Sequence, residues 1–401
     1  MTRSFFGLLL ILSTLGEIAT GAYLPVMPLV VEGLDLSISA VQASVASFLF
    51  AFALAQILLG PLSDRVGRRP VVLGGLAVFG LGSILVAIAN DPITLVGARA
   101  VQGVGAAAGY IVSRAMLRDV SSRDTLPTRM SLMMLAFAGA VLVAPLIGSA
   151  VVLSENWRIL FVVSAVLATL VLAWSTRSLA ETLQSSALRA EPLIPSLLKG
   201  YIGVFRSRTY TGYVLTHSFG YGCLYIFLSS FPLIAADVYA LQPAAAGPWM
   251  TLTFMGLVVG LIAARALAAR LGAHGCIMLG VGLIATNAAI LAGSRLFGDL
   301  SLHALVVCQI VLMIGGGLVA PNTTSMTMLL FPDRSGLAAA GLGVMAMAIA
   351  ALGVWLVGLI YAGNLGQILL LQSGFAFLSV TSFLTTHGTS RMIADPHRPE
   401  P

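Results

Sequence analysis

Glu17 is the one acid in the middle of a long apolar stretch of this chain, and Arg99 is an arginine inside another. A carboxyl within a membrane can take up and release a proton, because burial raises its affinity for the proton and a nearby cation lowers it. Counted from the ends of their stretches, Glu17 lies roughly 18 Å and Arg99 roughly 19 Å from the same face, a depth at which the arginine could tune the acid. Gln102 follows Arg99 by three residues on the same helical face and adds an amide. The plainer reading of Arg99 and Gln102 is that they tie helices together by hydrogen bonds. His217 is a second titratable group in an apolar run; its ordinary pKa suits proton exchange near neutrality, although a lone histidine on such a helix commonly serves as a hydrogen-bonded core residue.

A second cluster is mechanical rather than chemical. Gly60-Pro61-Leu62-Ser63-Asp64-Arg65-Val66-Gly67-Arg68-Arg69-Pro70 sets an acid and three arginines between two apolar stretches. Charge at the centre of a bilayer is costly, so this segment belongs at an aqueous face and its flanks are membrane spans. Asp64 can pair with a neighbouring arginine, while Arg65, Arg68 and Arg69 can reach the carbonyls and acids of adjacent helix ends. A short basic loop also follows from topology alone, but an acid contributes nothing to that signal. Asp64 therefore points to a gate.

The elements that carry these groups follow from composition. Charged residues are 9% of the chain, against roughly 25% in soluble domains, and apolar residues are 58%. With mean hydropathy at +1.00, the 401 residues have room for about twelve helical spans of about 20 residues. Apolar runs place them near 5–27, 40–61, 70–89, 93–113, 130–152, 157–176, 209–231, 246–264, 275–293, 302–322, 336–360 and 366–385. The first is too long for a signal peptide and carries Glu17, so it reads as retained. The expected fold is an all-α membrane protein of twelve transmembrane helices in two pseudo-symmetric six-helix bundles. The bundles are expected at 1–177 and 209–385, with an amphipathic linker at 178–208 and a tail at 386–401. Arg65-Val66-Gly67-Arg68-Arg69 is echoed by Arg270-Leu271-Gly272-Ala273-His274, as a half-length repeat would require. Arg3, Arg65, Arg118, Arg123, Arg177, Arg189, Lys199, Arg270, Arg334, Arg391 and Arg398 fall on the side of both termini, and only Arg158 and Arg295 on the other. The positive-inside rule makes the first side cytoplasmic.

Other chemistries find no support. Cys223, Cys276 and Cys308 sit in apolar runs as small hydrophobes, no metal-ligand spacing or nucleophile elbow occurs, and no phosphate-binding loop is present. The reading is of no enzyme, no cofactor and no nucleic-acid partner; the net charge of +6 reflects topology.

Three motifs in order carry a family resemblance. Gly60 to Val71 resembles the signature between the second and third spans of the major facilitator superfamily. Arg99-Ala100-Val101-Gln102-Gly103-Val104-Gly105 is similar to its fourth-span motif, and Ala144-Pro145-Leu146-Ile147-Gly148 to the exporter motif of its fifth, here built on Pro145 and Gly148. Tyr23-Leu24-Pro25-Val26-Met27-Pro28, Arg114-Ala115-Met116-Leu117-Arg118-Asp119, Trp157-Arg158 and Ala320-Pro321-Asn322 resemble the Bcr/CflA branch of drug:proton antiporters. One departure is Gly21, where the branch usually has an acid; Glu17 stands one helical turn earlier.

The resemblance implies proton-coupled efflux of amphiphilic drugs or small metabolites by alternating access, in a bacterial inner membrane, with the loop contacts favouring the outward-facing state and a single chain sufficing as the working unit. A dedicated exporter of one metabolite such as a siderophore, an importer, or a non-transporting receptor or scaffold on the same fold are the alternatives. Tyr23, Gln42, Gln56, Gln102, Tyr110, Tyr221, Tyr225, Asn287, Gln309, Asn322 and Met345 are the expected cavity residues. Aromatics, amides and a thioether with little fixed charge suit moderately hydrophobic molecules of varied shape.

Overall fold

A computed structural model describes residues 3–122, 124–183, 193–297 and 300–386. Arg123, Arg189, Arg391 and Arg398, most of the tail and the middle of the linker lie outside the described residues, as do the side chains of Arg3 and Arg295. The described chain is helical with no strand: α1 (Arg3–Gly21), α2 (Met27–Leu34), α3 (Ile38–Val66), α4 (Arg68–Ala87), α5 (Pro92–Asp119), α6 (Leu126–Val152), α7 (Arg158–Ser178), α8 (Leu193–Phe205), α9 (Arg208–Asp237), α10 (Ala246–Phe297), α11 (Leu302–Leu330), α12 (Ser335–Ile360) and α13 (Leu365–Leu384). In lipid a helix satisfies its own backbone groups, so the long apolar runs have little other choice. Ser37, Asp91 and Ser301 start α3, α5 and α11 by accepting hydrogen bonds from the first-turn N–H groups.

Eleven described helical stretches are long and apolar enough to cross a membrane. One of them runs 52 residues, more than twice a bilayer's need, and is broken at Gly272 (φ 65°, ψ 175°). Its two arms make the total twelve. The expected spans at 246–264 and 275–293 are these arms, and the connection between them is itself wound into helix. The first expected span also differs. It stops at Gly21, passes through a tight turn at Leu24–Val26 and resumes as α2, because Pro25 and Pro28 bring no N–H to a continuous ladder.

The chain divides into two compact units. One takes Met1–Leu193, Leu228–Thr251 and Val354–Asn364, and the other Ile194–Phe227, Leu252–Gly353 and Leu365–Pro401. Within the first, α4 crosses α5 at Gly75 and Gly105, where a β-carbon on Gly105 would stand 2.6 Å from the Gly75 carbonyl oxygen. Within the second, the later arm of α10 crosses α11 at Gly280 and Gly315, with the corresponding distance 2.8 Å. Close backbone approach is how helices associate where lipid supplies no hydrophobic drive. The same kind of crossing thus occurs eight residues after Gly67 and eight after Gly272.

Candidate functional site

The Asp64 cluster is a closed network at one end of the first unit. Gly67 (φ 105°, ψ 150°) separates α3 from α4 in a conformation that disfavours any side chain. Arg68, largely buried, pairs with Asp64 at 2.6 Å and with Asp119 at the end of α5 at 3.1 Å, and donates to Ser63 Oγ at 2.6 Å. Arg69 donates to the Thr176 carbonyl on α7 at 2.8 Å. The Glu181 carboxylate, just beyond α7, accepts from the N–H groups of Arg68 at 2.9 Å and Arg69 at 3.1 Å, so it caps the positive end of α4. Burial pushes that carboxyl up, but hydrogen bonds from the backbone of Leu183, Arg68, Arg69 and Thr182 prevail and hold it below its ordinary value. Asp119 also accepts from the Thr182 hydroxyl at 3.1 Å. Gly60 lies against Ile111 of α5, and Arg65 is exposed to a middling degree among these groups.

Arg99 is fully buried and answers to aromatic rings rather than to an acid. Its guanidinium carbon lies 4.5 Å from the Tyr23 ring centre, 4.4 Å from Phe48 and 5.8 Å from Phe161. Nη1 donates to Gln102 Oε1 at 2.6 Å, and Gln102 Nε2 donates to Ser83 Oγ on α4 at 2.9 Å. Among the described residues Nε and Nη2 have no hydrogen-bond partner. Tyr23 is itself buried, its hydroxyl 2.9 Å from Ser44 Oγ. A desolvated cation over several π faces gains about 2 kcal/mol or more, which offsets part of the cost of burial.

Glu17 does not meet Arg99. The antiparallel packing of α1 on α5 sets the Gly16 β-position 3.1 Å from Ala106 Cβ. Arg99 precedes Ala106 by seven residues, about 10 Å along the axis, and so lies beside Tyr23 instead. The equal-depth expectation fails because α5 runs on to Asp119, six residues past the inner end expected at 113, so counting from 113 sets Arg99 too close to that face. Glu17 is half-buried and no side-chain hydrogen bond or ion pair reaches it among the described residues. It sits in an enclosed helix: Leu12, Ser13, Thr14, Gly16, Ala19 and Thr20 around it are all buried. Gly21 has no room for the acid that the family pattern places there, since its β-carbon would stand 2.8 Å from Ala144 Cβ.

The remaining residues fall into smaller groups. Tyr110 packs between Phe52 and Phe137 with Arg114 3.9 Å above its ring. Gln56 is buried, and Gln42 donates to the Ser229 carbonyl at 2.8 Å. Gly148 backs onto the Ala22 carbonyl, and the Pro145 carbonyl faces Gly247, whose N–H donates to Ser149 Oγ at 2.9 Å. In the second unit His217, Tyr221 and Tyr225 form a ladder along α9, with ring centres 5.9 and 5.1 Å apart. Gln309 and Gln372 exchange amide hydrogen bonds at 3.2 and 2.9 Å, and Gln372 also donates to the Cys223 carbonyl at 3.1 Å. Asn322 turns back onto its own helix at the Leu318 carbonyl, Asn287 is buried, and Met345 packs beside Tyr210 and Leu342. Cys223, Cys276 and Cys308 are buried free thiols.

The chain as a whole is matched by known proteins. The family model described as the Major Facilitator Superfamily matches residues 9–303. The chain belongs to that superfamily. It is 30% identical over 356 residues, 88% of either chain, to a Bacillus subtilis protein named an uncharacterized MFS-type transporter, YdgK. It is 27% identical to Multidrug resistance protein D of Escherichia coli over 84% of both. The Bcr/CflA resemblance is met by a Bicyclomycin resistance protein homolog of Haemophilus influenzae, 30% identical over 57% of each. The fold is that of solved transporters: nucleoside transporter NupG superposes with a TM-score of 0.78 at 14% identity, covering 95% of this chain and 99% of that one. The D-xylose-proton symporter follows at 0.73 and 13%, covering 95% and 97%. The protein is a multi-pass membrane transporter of the major facilitator fold, acting on a small molecule.

Four partners escaped the sequence reading. Glu181 lies more than a hundred residues from Gly67, and its one local signal is an acid placed just after the basic end of α7. Ser83, Phe48 and Phe161 around Arg99 are ordinary residues of apolar spans, with nothing in spacing to mark them.

Proposed function

We propose that this transporter exports amphiphilic drugs or small metabolites in exchange for protons, by alternating access of the bundles 1–177 and 209–385 across a bacterial inner membrane. Both termini lie in the cytoplasm in this reading, and one chain is the working unit. The observation that carries it is Glu17: an acid without a partner, half-buried in an otherwise enclosed span, is a group whose protonation can follow the access of water. Relatives named for multidrug and bicyclomycin resistance support the substrate class and favour it over a static receptor or a dedicated exporter. Arg99 and His217 are the accessory groups. Arg99 sets the potential around the Tyr23 end of the path, and His217 offers a second titratable surface on α9. The Asp64 network serves as the gate, with Pro145 and Gly148 as the exporter motif. Tyr23, Gln56, Gln102, Tyr110, Tyr221, Tyr225, Gln309 and Asn322 supply the polar and aromatic handles for varied substrates.

The test uses purified protein in vesicles with an imposed pH gradient and lipophilic amines as substrates. Glu17→Gln should abolish gradient-driven uptake, at least a tenfold loss, while exchange of substrate without a gradient persists. Full proton-driven transport by the variant would refute the assignment.

A further inference from the structure

The helix between the two sets of spans has a face that the bundle leaves uncovered. On α8, Gly200, Tyr201 and Val204 turn inward: Val204 is fully buried and Leu337 of α12 stands 2.9 Å from the β-position of Gly200, while Phe205, the last residue of the helix, meets the Tyr210 ring edge-on at 5.2 Å. On the other side Leu198 and Ile202 are 60% and 51% exposed. Four residues apart, they stand about 40° from one another around the helix and form one apolar stripe. Beside that stripe lie cations. Lys199 and Arg206 fall further round the same side, Arg208 opens the span α9, and Arg334 reaches to 3.3 Å from the β-position of Gly203. All four are exposed, and no side-chain hydrogen bond or ion pair compensates them among the described residues. Asp333, the acid of the neighbouring turn, pairs with none of them.

We propose that α8 lies on an anionic bilayer surface, with Leu198 and Ile202 at the acyl boundary and Lys199, Arg206, Arg208 and Arg334 on lipid phosphates. The position fits, because α8 runs directly into a helix that enters the membrane at Arg208. An apolar stripe flanked by cations on the outer side of a bundle-packed helix has its complement in a leaflet carrying negative headgroups: acyl chains cover the leucine and isoleucine, and phosphates neutralise the basic edge. A water-facing helix would leave both leucine and isoleucine uncovered, and a purely apolar partner would leave the charges without partners. Each cation near an anionic surface strengthens the attachment about fivefold.

The experiment places a nitroxide at Leu198→Cys in the full-length protein, reconstituted in lipid nanodiscs. The native cysteines are buried, so labelling is confined to the introduced one. In discs containing phosphatidylglycerol the label should collide with dissolved oxygen several times more often than with a water-soluble nickel chelate, and the ratio should fall in pure phosphatidylcholine. Neutralising Lys199→Gln with Arg206→Gln should remove that dependence on lipid charge. The same label at Ile202→Cys provides a second reading should the first variant fold poorly. Chelate access equal to that of an Asp124→Cys label, an oxygen signal indifferent to lipid charge, or cross-linking of two copies through Leu198→Cys would each overturn the proposal.

Discussion

Gly67 and Gly272 make the same break in the chain and are finished in opposite ways. Both have positive φ, both end one apolar helix and begin another, and both precede a glycine crossing. Around Gly67 stand an ion pair, a second carboxylate and a capping acid, and its β-position is already taken by Glu181 Oε2 at 2.6 Å. Around Gly272 nothing lies within 4 Å of the β-position, and the following His274 contacts the Tyr213 hydroxyl at 3.0 Å instead. The backbone requirement is shared, while among the described residues the ion pairs stand beside Gly67. The deeper interiors differ in the same sense. Arg99 brings charge into the first unit, whereas Gln309 and Gln372 tie the second with neutral amides.

That contrast can be broken by substitution. Gly67→Ala should cost more than Gly272→Ala: the strained φ costs about 1–3 kcal/mol at either site, and only the first must also dislodge Glu181. Thermal unfolding in detergent compares them, and equal losses would erase the distinction. Next in size, Gln309→Leu should destabilise by about 1–3 kcal/mol, because Gln372 keeps a buried amide whose Oε1 loses its donor and whose Nε2 is left with the Cys223 carbonyl alone. Arg99→Met should leave stability at or above the parent, since a buried cation with two orphaned nitrogens is removed. Proton-driven transport by Arg99→Met should nevertheless fall at least tenfold. A large loss of stability would instead make Arg99 a structural tie.

The smallest effect concerns pH. The Glu181 carboxyl is held below its ordinary value, so its contribution is complete above the unfolded-state pKa and is lost as pH falls through the lower folded-state value. Hydrogen exchange at residues 68 and 69 should therefore stay slow at mildly acidic pH and quicken only below the ordinary carboxylate range. Glu181→Gln should weaken that protection at neutral pH and flatten its pH dependence. The amides after Gly272 should show no corresponding step.

The sequence revealed the spans and the Asp64 cluster because lipid imposes a long-range rule: charge cannot be left in the middle, and apolar runs must be helical. It missed how the spans are punctuated. Pro25 and Pro28 were visible, yet the first span read as continuous; the second span ran on to Val66, leaving Gly67 alone as the loop. Registers between helices were beyond reach. Counting residues from span ends placed Glu17 level with Arg99, while the contacts of Gly16 and Gly109 on α1 and α5 fix a slide of about two turns. The pairing of Asp64 with Arg68 was foreseeable from a spacing of four. The Glu181 cap was not, because it joins segments separated by more than a hundred residues.

At the end of the first unit far from Gly67, three approaches are made by main chain: Gly148 to the Ala22 carbonyl, Gly247 to the Pro145 carbonyl, and Gly358 to Ser39, whose carbonyl oxygen lies 3.3 Å from the added β-position. Backbone has no rotamers, so such a seam either holds throughout or parts as a rigid edge. The side chains that stand among these contacts, Ser149 and Gln42, are themselves tied by hydrogen bonds to the Gly247 N–H and the Ser229 carbonyl, which leaves little to swing aside and admit single ions. A transporter sealed in this way would be expected to guard the proton gradient against leakage while idle.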